Sequence, residues 1–285
     1  MRSMKARRLA IAVAQMKFRA AIGDNVSWII KIIHSSAKAG ADAILFPECA
    51  VTGYNSDFTR VSRPEIDAAL QSIALEARAA RCHVLVGSPT FVGRKRFNSL
   101  VVFDAYGGRV SCYSKIHLTA RDKRFFTPGN ALAFFRLAGV PCTTIICHER
   151  RYPELVRLPV MLGARIIFHP NAGLDSLAVS KRKHHGRDGI AVRAFENEVY
   201  YVFANSVGPQ GDGLWSAGDS KIVAPDSSVL ALANNREETV IQAELDLSLA
   251  GRMYAREALQ EPAFLRKHWK AMLAACSRQL QRRIT

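Results

Sequence analysis

The segment TTIICHERRYPELVRLPVMLGARIIFHP, residues 143–170, contains a strand, a helix and a second strand in succession. TTIICH (143–148) is an apolar run without polar alternation, the pattern of a strand covered on both faces. PELVRLPVMLGA (153–164) reads as a helix that begins right after Cys147, and ARIIFHP (164–170) reads as the next strand. Working outward, the same kind of strand recurs at 8–15, 41–48, 83–89, 98–104 and 110–116, and again at 199–205, 219–225 and 239–245. Helical spacing appears at 25–40, with Asp24 or Asn25 as its N-cap, and at 64–81, where acids at the start and basic residues at the end suit the helix dipole. A further helix is expected at 189–199, and AYGG (105–108) reads as a hairpin turn. Ten strands with interleaved helices and no linker between halves imply one α/β domain over residues 1–260. Residues 261–285 form a basic helical extension outside the strand pattern.

Composition fits a globular α/β chain: of 285 residues, 49% are hydrophobic and 22% charged. LAIAVA near the N-terminus is about one strand long, too short for the apolar core of an export signal, and no run reaches the ~18 apolar residues of a membrane span. Six cysteines without a CxxC pair or a Cys/His metal spacing imply reduced thiols and a cytoplasmic setting. The net charge is +16, and residues 1–23 and 262–285 together carry twelve basic side chains and no acid. No nucleic-acid motif accompanies that charge, so the expectation is a solvated or subunit-docked basic end rather than a nucleic-acid partner.

Three motifs place chemistry where strands run out into loops. LFPECAVTGY puts Glu48 at one strand end, YSKIHL puts Lys115 at another, and IICHERRYPE puts Cys147 between strand and helix. A charge ending an apolar strand has to be paired or hydrated, because burying it alone costs several kcal/mol. Together the three supply a carboxylate base, a cation and a thiol nucleophile. Backbone N–H groups of the turn leading into 153–164 are expected to complete an oxyanion hole and to lower the thiol pKa.

These motifs, in this order, resemble the Glu–Lys–Cys triad of the nitrilase superfamily of carbon–nitrogen hydrolases. The resemblance runs from IAVAQ (11–15) to AELDL (243–247) and includes FNSLVVFDAYG, FFTPGN, GARIIFHPNA, RAFENEVYYVFANSVG and DSKIVAPDSSVLA. It implies a four-layer α-β-β-α sandwich with internal pseudo-symmetry. It also implies a metal- and cofactor-independent hydrolase of a small-molecule substrate, and a homodimer or larger homo-oligomer to whose interface residues 261–285 contribute. Two departures stand out. DKRFFTPG carries Asp122 where many members have a second catalytic glutamate, and aspartate, one methylene shorter, is expected to hold Lys115 less closely. Glu149 replaces a common aspartate two residues after the cysteine, a change expected to be structural.

The adjacent Arg150 and Arg151 resemble the turn of N-carbamoyl-amino-acid hydrolases and carbamoylputrescine amidase-like members, and a guanidinium fork suits a substrate carboxylate. The resemblance also assigns His148, Tyr54 and Asn171 to the substrate side. His184, His185 and Arg187 in KRKHHGRDG are further candidates at the pocket mouth. The function expected is hydrolysis of an N-carbamoyl or amide substrate bearing a carboxylate. The alternatives are a nitrilase, an aliphatic or ω-amidase, or a catalytically weakened member acting as a binding protein.

Overall fold

A computed structural model describes residues 8–182 and 189–281. In chain order its strands are β1 (Arg8–Gln15), β2 (Ala43–Leu45), β3 (His83–Val92), β4 (Lys95–Phe103), β5 (Arg109–Ser114), β6 (Phe135–Leu137), β7 (Val140–Thr144) and β8 (Ile166–Asn171). They continue with β9 (Asp175–Ser176), β10 (Tyr200–Asn205), β11 (Val207–Pro209), β12 (Leu214–Ala217), β13 (Lys221–Val223), β14 (Val229–Leu232) and β15 (Thr239–Asp246). The helices are α1 (Ile22–Lys38), α2 (Arg63–Ala80), α3 (Glu154–Met161), α4 (Leu177–Arg182), α5 (Ile190–Phe195), α6 (Met253–Glu257) and α7 (Ala263–Gln281).

Two six-stranded sheets carry the fold, ordered β15-β1-β2-β3-β4-β5 and β14-β13-β10-β8-β7-β6. Each has three adjacent parallel strands, β1-β2-β3 in one and β7-β8-β10 in the other, flanked by antiparallel ones. This repeated pattern is the pseudo-symmetry that the sequence motifs imply. The β-pleat sorts the core into layers. Leu9, Ile11 and Val13 of β1 meet Ile166 and Phe168 of β8 and Val202 of β10 between the sheets. Ala12 and Ala14 face outward to Ile29 and Ile33 of α1 and Ile66 and Ile73 of α2. On the far side Ile167 and Tyr201 pack on Val156 and Val160 of α3 and on Ala194 of α5. The result is an α-β-β-α sandwich.

Helix starts differ from expectation in one place. Neither Asp24 nor Asn25 caps α1: the N-cap is Ala21, Asp24 lies in the first turn, and buried Asn25 instead ties the incoming loop down, its Oδ1 accepting from the Arg19 N–H. By contrast α2 opens with a Ser62–Glu65 capping box. The short β6, β9, β11, β12 and β14 have no counterpart in the sequence reading. The tail does form a helix, α7, which lays Trp269 and Leu273 on the outer helical layer and leaves Phe264 and Met272 exposed. Among the described residues no helix is long and apolar enough to cross a membrane. His184, His185 and Arg187 lie outside the described residues.

Candidate active site

Glu48 follows β2 and sits against β3, a close approach that requires Gly87: a Cβ there would overlap the Pro47 carbonyl and come within 2.7 Å of the Glu48 Cα. Lys115 directly follows β5. Its backbone N–H donates to Asn98 O (2.8 Å) and its carbonyl accepts from Gly129 N (2.8 Å), so the strand end is gripped on both sides. Both side chains are fully buried.

The buried ammonium is matched by two carboxylates. Lys115 Nζ donates to Glu48 Oε1 (2.8 Å) and to Asp122 Oδ2 (2.7 Å). Asp122 sits in a one-turn 3-10 helix (Asp122–Arg124), and its Oδ1 accepts from Tyr54 OH (2.8 Å) and its Oδ2 from Thr119 N (3.0 Å). The shorter aspartate therefore does not loosen the ion pair, contrary to the sequence expectation. The Thr119 N–H and the Tyr54 hydroxyl hold it against the ammonium instead. Removing the Lys115 ammonium would leave both carboxylates buried without a counter-charge, a cost of about 3–5 kcal/mol.

Titration follows from these contacts. Burial lifts the Glu48 carboxyl above its ordinary value, and the nearby Asp122 charge adds to this against the pull of Lys115. Burial also penalises the Asp122 carboxylate, but Lys115 and the hydrogen bonds outweigh it and hold the group below its ordinary value. Lys115 is desolvated too, yet Glu48 and the neighbouring acidic groups hold it firmly protonated.

Cys147 arrives at the same place from the second sheet. After β7 the chain runs extended through Ile146, then turns at Cys147 with φ +56° into a 3-10 helix (Cys147–Arg151). A left-handed conformation at a non-glycine residue costs of the order of 1–3 kcal/mol and persists only where the surroundings impose it. Glu149 does much of the imposing. Its Oε2 accepts from Ile146 N (2.7 Å) and its Oε1 from Ile116 N (2.7 Å) and His117 N (3.1 Å), while Tyr113 OH donates to both. One carboxylate thus fastens the cysteine turn to the residues that follow Lys115. The Cys147 thiol is not lowered as the helix-start argument expects: burial pushes it up to about 12, with the Glu48 charge adding to the rise. A resting thiol of this kind needs a base before it can react, and the Glu48 carboxylate lies within electrostatic reach of it.

Above the sulfur opens a pocket of about 370 Å³ lined by Tyr54, Cys147, His148, Arg150, Arg151 and Asn171, so the structure gathers every substrate-side candidate that lies in the described residues. His148 is half-buried, and burial lowers its imidazole to about 4, leaving it neutral. Asn171 is oriented by a hydrogen-bond chain. Asn205 accepts from Gly173 N (3.2 Å) and donates to Gly218 O (2.7 Å), so its oxygen takes the Asn171 Nδ2 (2.8 Å). Asn171 Oδ1 is thereby left buried without a partner. Among the described residues no group of His, Cys, Asp and Glu is arranged to hold a metal ion.

Several further residues shape the site without belonging to any of the three motifs. Asn98 donates to Glu48 Oε1 (2.7 Å), and the Ala172 N–H donates to Oε2 (3.1 Å). Arg121 adds a third guanidinium to the pocket lining. His169, buried in β8, binds the carbonyl of Cys147. A polar residue inside an apolar strand, as in FNSLVVF or IIFHP, is the one sequence signal that marks Asn98 and His169.

Comparison with known proteins agrees with this geometry. The chain is 33% identical over 235 residues to a nitrilase of Pyrococcus abyssi, covering 79% of this chain and 84% of that protein. It is 28% identical over 213 residues to a 2-oxoglutaramate amidase of Bacillus subtilis, covering 73% and 79%. In fold it is similar to an amidase of Nesterenkonia sp. AN1 from the nitrilase superfamily, with a TM-score of 0.80 at 23% identity over 93% of this chain and 98% of that one. Residues 10–255 match the carbon–nitrogen hydrolase family model, and with a nitrilase-like sandwich around a buried Glu–Lys–Cys constellation the chain belongs to the carbon–nitrogen hydrolase family.

Proposed function

We propose that the protein hydrolyses the carbon–nitrogen bond of an amide or N-carbamoyl substrate that bears a carboxylate, through a thioester on Cys147. The observation that carries the reading is the state of Lys115. Two of its three N–H bonds are spent on Glu48 and Asp122, and no other acceptor is found for it among the described residues. That arrangement suits an ammonium held ready for an oxygen that gains charge only during reaction.

Glu48 takes the proton of Cys147, and the sulfur attacks the carbonyl carbon. The oxyanion is bound by the third N–H of Lys115 and the backbone N–H of His148. The proton on Glu48 passes to the nitrogen, ammonia leaves, and a thioester remains. Glu48 then deprotonates a water that attacks the thioester; collapse releases the acid, and the sulfur recovers its proton. With a carbamoyl substrate the released acid is a carbamic acid, which gives carbon dioxide and the amine. Asp122, with Tyr54 behind it, holds Lys115 in place. Asn171 Oδ1 accepts from the substrate N–H.

Carboxylate recognition is supported by Arg150 and Arg151 on the pocket wall, joined by Arg121. It is further supported by the 2-oxoglutaramate amidase relative, whose named substrate is an amide carrying a carboxylate. The exposed Phe264 and Met272 on basic α7 support pairing of two copies of the chain through this helix. The test is ammonia release across nitriles, neutral amides, carboxylate-bearing amides and N-carbamoyl amino acids. Turnover is expected with the last two classes and its loss in Cys147→Ala and Cys147→Ser; full activity in both variants would end the nucleophile assignment.

A further inference from the structure

Cys147 makes a backbone contact that the proposed reaction does not use. His169 is fully buried on β8, and its Nε2 lies 2.7 Å from the carbonyl oxygen of Cys147. Its Nδ1 lies 3.0 Å from Tyr201 OH. A carbonyl oxygen only accepts, so Nε2 carries the hydrogen. Burial and the nearby Arg150 charge keep the ring neutral, and a neutral ring with its hydrogen on Nε2 presents Nδ1 as an acceptor. Tyr201 OH is then the donor to Nδ1, and it fixes the tautomer in which Nε2–H faces Cys147.

The consequence lies on the other side of the peptide unit. The bond between Cys147 and His148 belongs to a planar trans unit, in which the carbonyl and the following N–H point in opposite directions. Holding the Cys147 oxygen therefore sets the direction of the His148 N–H. Rotation of that unit is a real alternative, because Cys147 sits at φ +56°, a conformation a cysteine does not favour by itself. Glu149 fixes the chain just before the cysteine by accepting from Ile146 N, but it leaves the Cys147–His148 peptide untouched.

We infer that His169, held by Tyr201, is a positioning residue that aims the His148 N–H at the developing oxyanion by gripping the carbonyl of Cys147. The inference rests on the proposed function, because it presupposes a thioester-forming Cys147. It differs from a packing role in what it moves. The peptide matters only when a tetrahedral oxyanion forms, so substrate binding and the intrinsic displacement chemistry of the thiol are left alone.

The test compares His169→Leu, which removes the donor at similar size, with His169→Gln, whose Nε2 keeps one, and with Tyr201→Phe. Two probes are read. Iodoacetamide alkylates Cys147 by displacement at carbon and forms no oxyanion. Succinic semialdehyde adds reversibly to the thiol as a tetrahedral hemithioacetal, and its affinity is measured by the protection it gives Cys147 from iodoacetamide. In His169→Leu the semialdehyde affinity, and kcat on any amide that releases ammonia, are expected to fall about 10- to 100-fold, somewhat less than the loss of a whole oxyanion donor. KM and the iodoacetamide rate should stay within about twofold, since neither senses the oxyanion. His169→Gln should recover most of the loss, and Tyr201→Phe should show about a threefold loss of the same kind. If folded His169→Leu and Tyr201→Phe keep wild-type semialdehyde affinity, the inference is overturned and His169 only packs. Should His169→Leu fail to fold, Tyr201→Phe decides alone, because its hydroxyl acts on the cysteine turn through His169 Nδ1. Failure of the underlying reading has a different signature: in the wild-type protein the semialdehyde gives Cys147 no protection.

Discussion

Glu48 acts on Cys147 from the first sheet and Glu149 from within the cysteine turn, each fully buried and each with a carboxyl that burial lifts above its ordinary value. Their hydrogen bonds separate them. Three backbone N–H groups and the Tyr113 hydroxyl converge on Glu149 and occupy both of its oxygens. Glu48 accepts from Lys115 and Asn98 on Oε1, but only from Ala172 N, at 3.1 Å, on Oε2. A carboxylate offers about four acceptor positions, so Glu48 keeps one in reserve and Glu149 keeps none. Burial and a raised pKa are common to both carboxylates; spare acceptor capacity beside Cys147 sets apart Glu48, the base of the proposed reaction.

That contrast gives its own tests. Glu48→Gln keeps an oxygen for Lys115 and Asn98, sets its amide against the single Ala172 N–H and cannot take a proton, so kcat per folded molecule is expected to fall about 10³-fold or more. Glu149→Gln turns an amide N–H₂ toward backbone N–H donors and should cost about 3 kcal/mol of stability in urea unfolding, with kcat per folded molecule changed much less. Reversal of these two outcomes would exchange the roles of the glutamates. Arg150→Ala extends the comparison to the pocket wall. It should raise KM about tenfold for carboxylate-bearing amides and leave neutral amides unaffected; an equal rise for both would make the arginine structural. The smallest effect concerns pH. An acid with a raised pKa keeps its proton to higher pH, so kcat/KM should climb with pH through a limb above the ordinary carboxylate range. The Asp122 charge contributes to that rise, so Asp122→Asn should move the limb to lower pH, and a limb that stays put would show that Glu48 does not set it.

The long strands were legible in the sequence for a simple reason. β1 is buried on both faces, so its LAIAVA stretch is apolar without alternation, and its range is read directly. β14 was not legible, because Val229–Leu232 lies on a sheet edge and is mostly exposed, while β9 has only two residues. The Asp24/Asn25 cap misled because Asn25 is drawn into the core by Arg19 and Ala21, a tertiary demand that local capping rules do not contain. In the site, Glu48, Lys115 and Cys147 stand out as polar residues ending apolar runs. Their partners do not: Asn98 and His169 lie within strands, and only register and sheet packing bring them to Glu48 and Cys147. The Asp122 expectation failed for a related reason, since the length of a side chain does not say where the backbone of its loop stands relative to Lys115.

The closed cluster behind the sulfur also bears on oxidation. Lys115 keeps its proton and Asp122 stays ionised, while burial and the surrounding negative charge keep the Cys147 proton on sulfur at rest. Peroxides and stray electrophiles attack thiolates far faster than thiols. A nucleophile that is charged only while substrate is bound is therefore spared most of the sulfenic-acid damage that a standing thiolate would collect. Under the proposed reaction, the same burial that makes Cys147 dependent on Glu48 is what lets an open pocket hold a reactive cysteine over the lifetime of the enzyme.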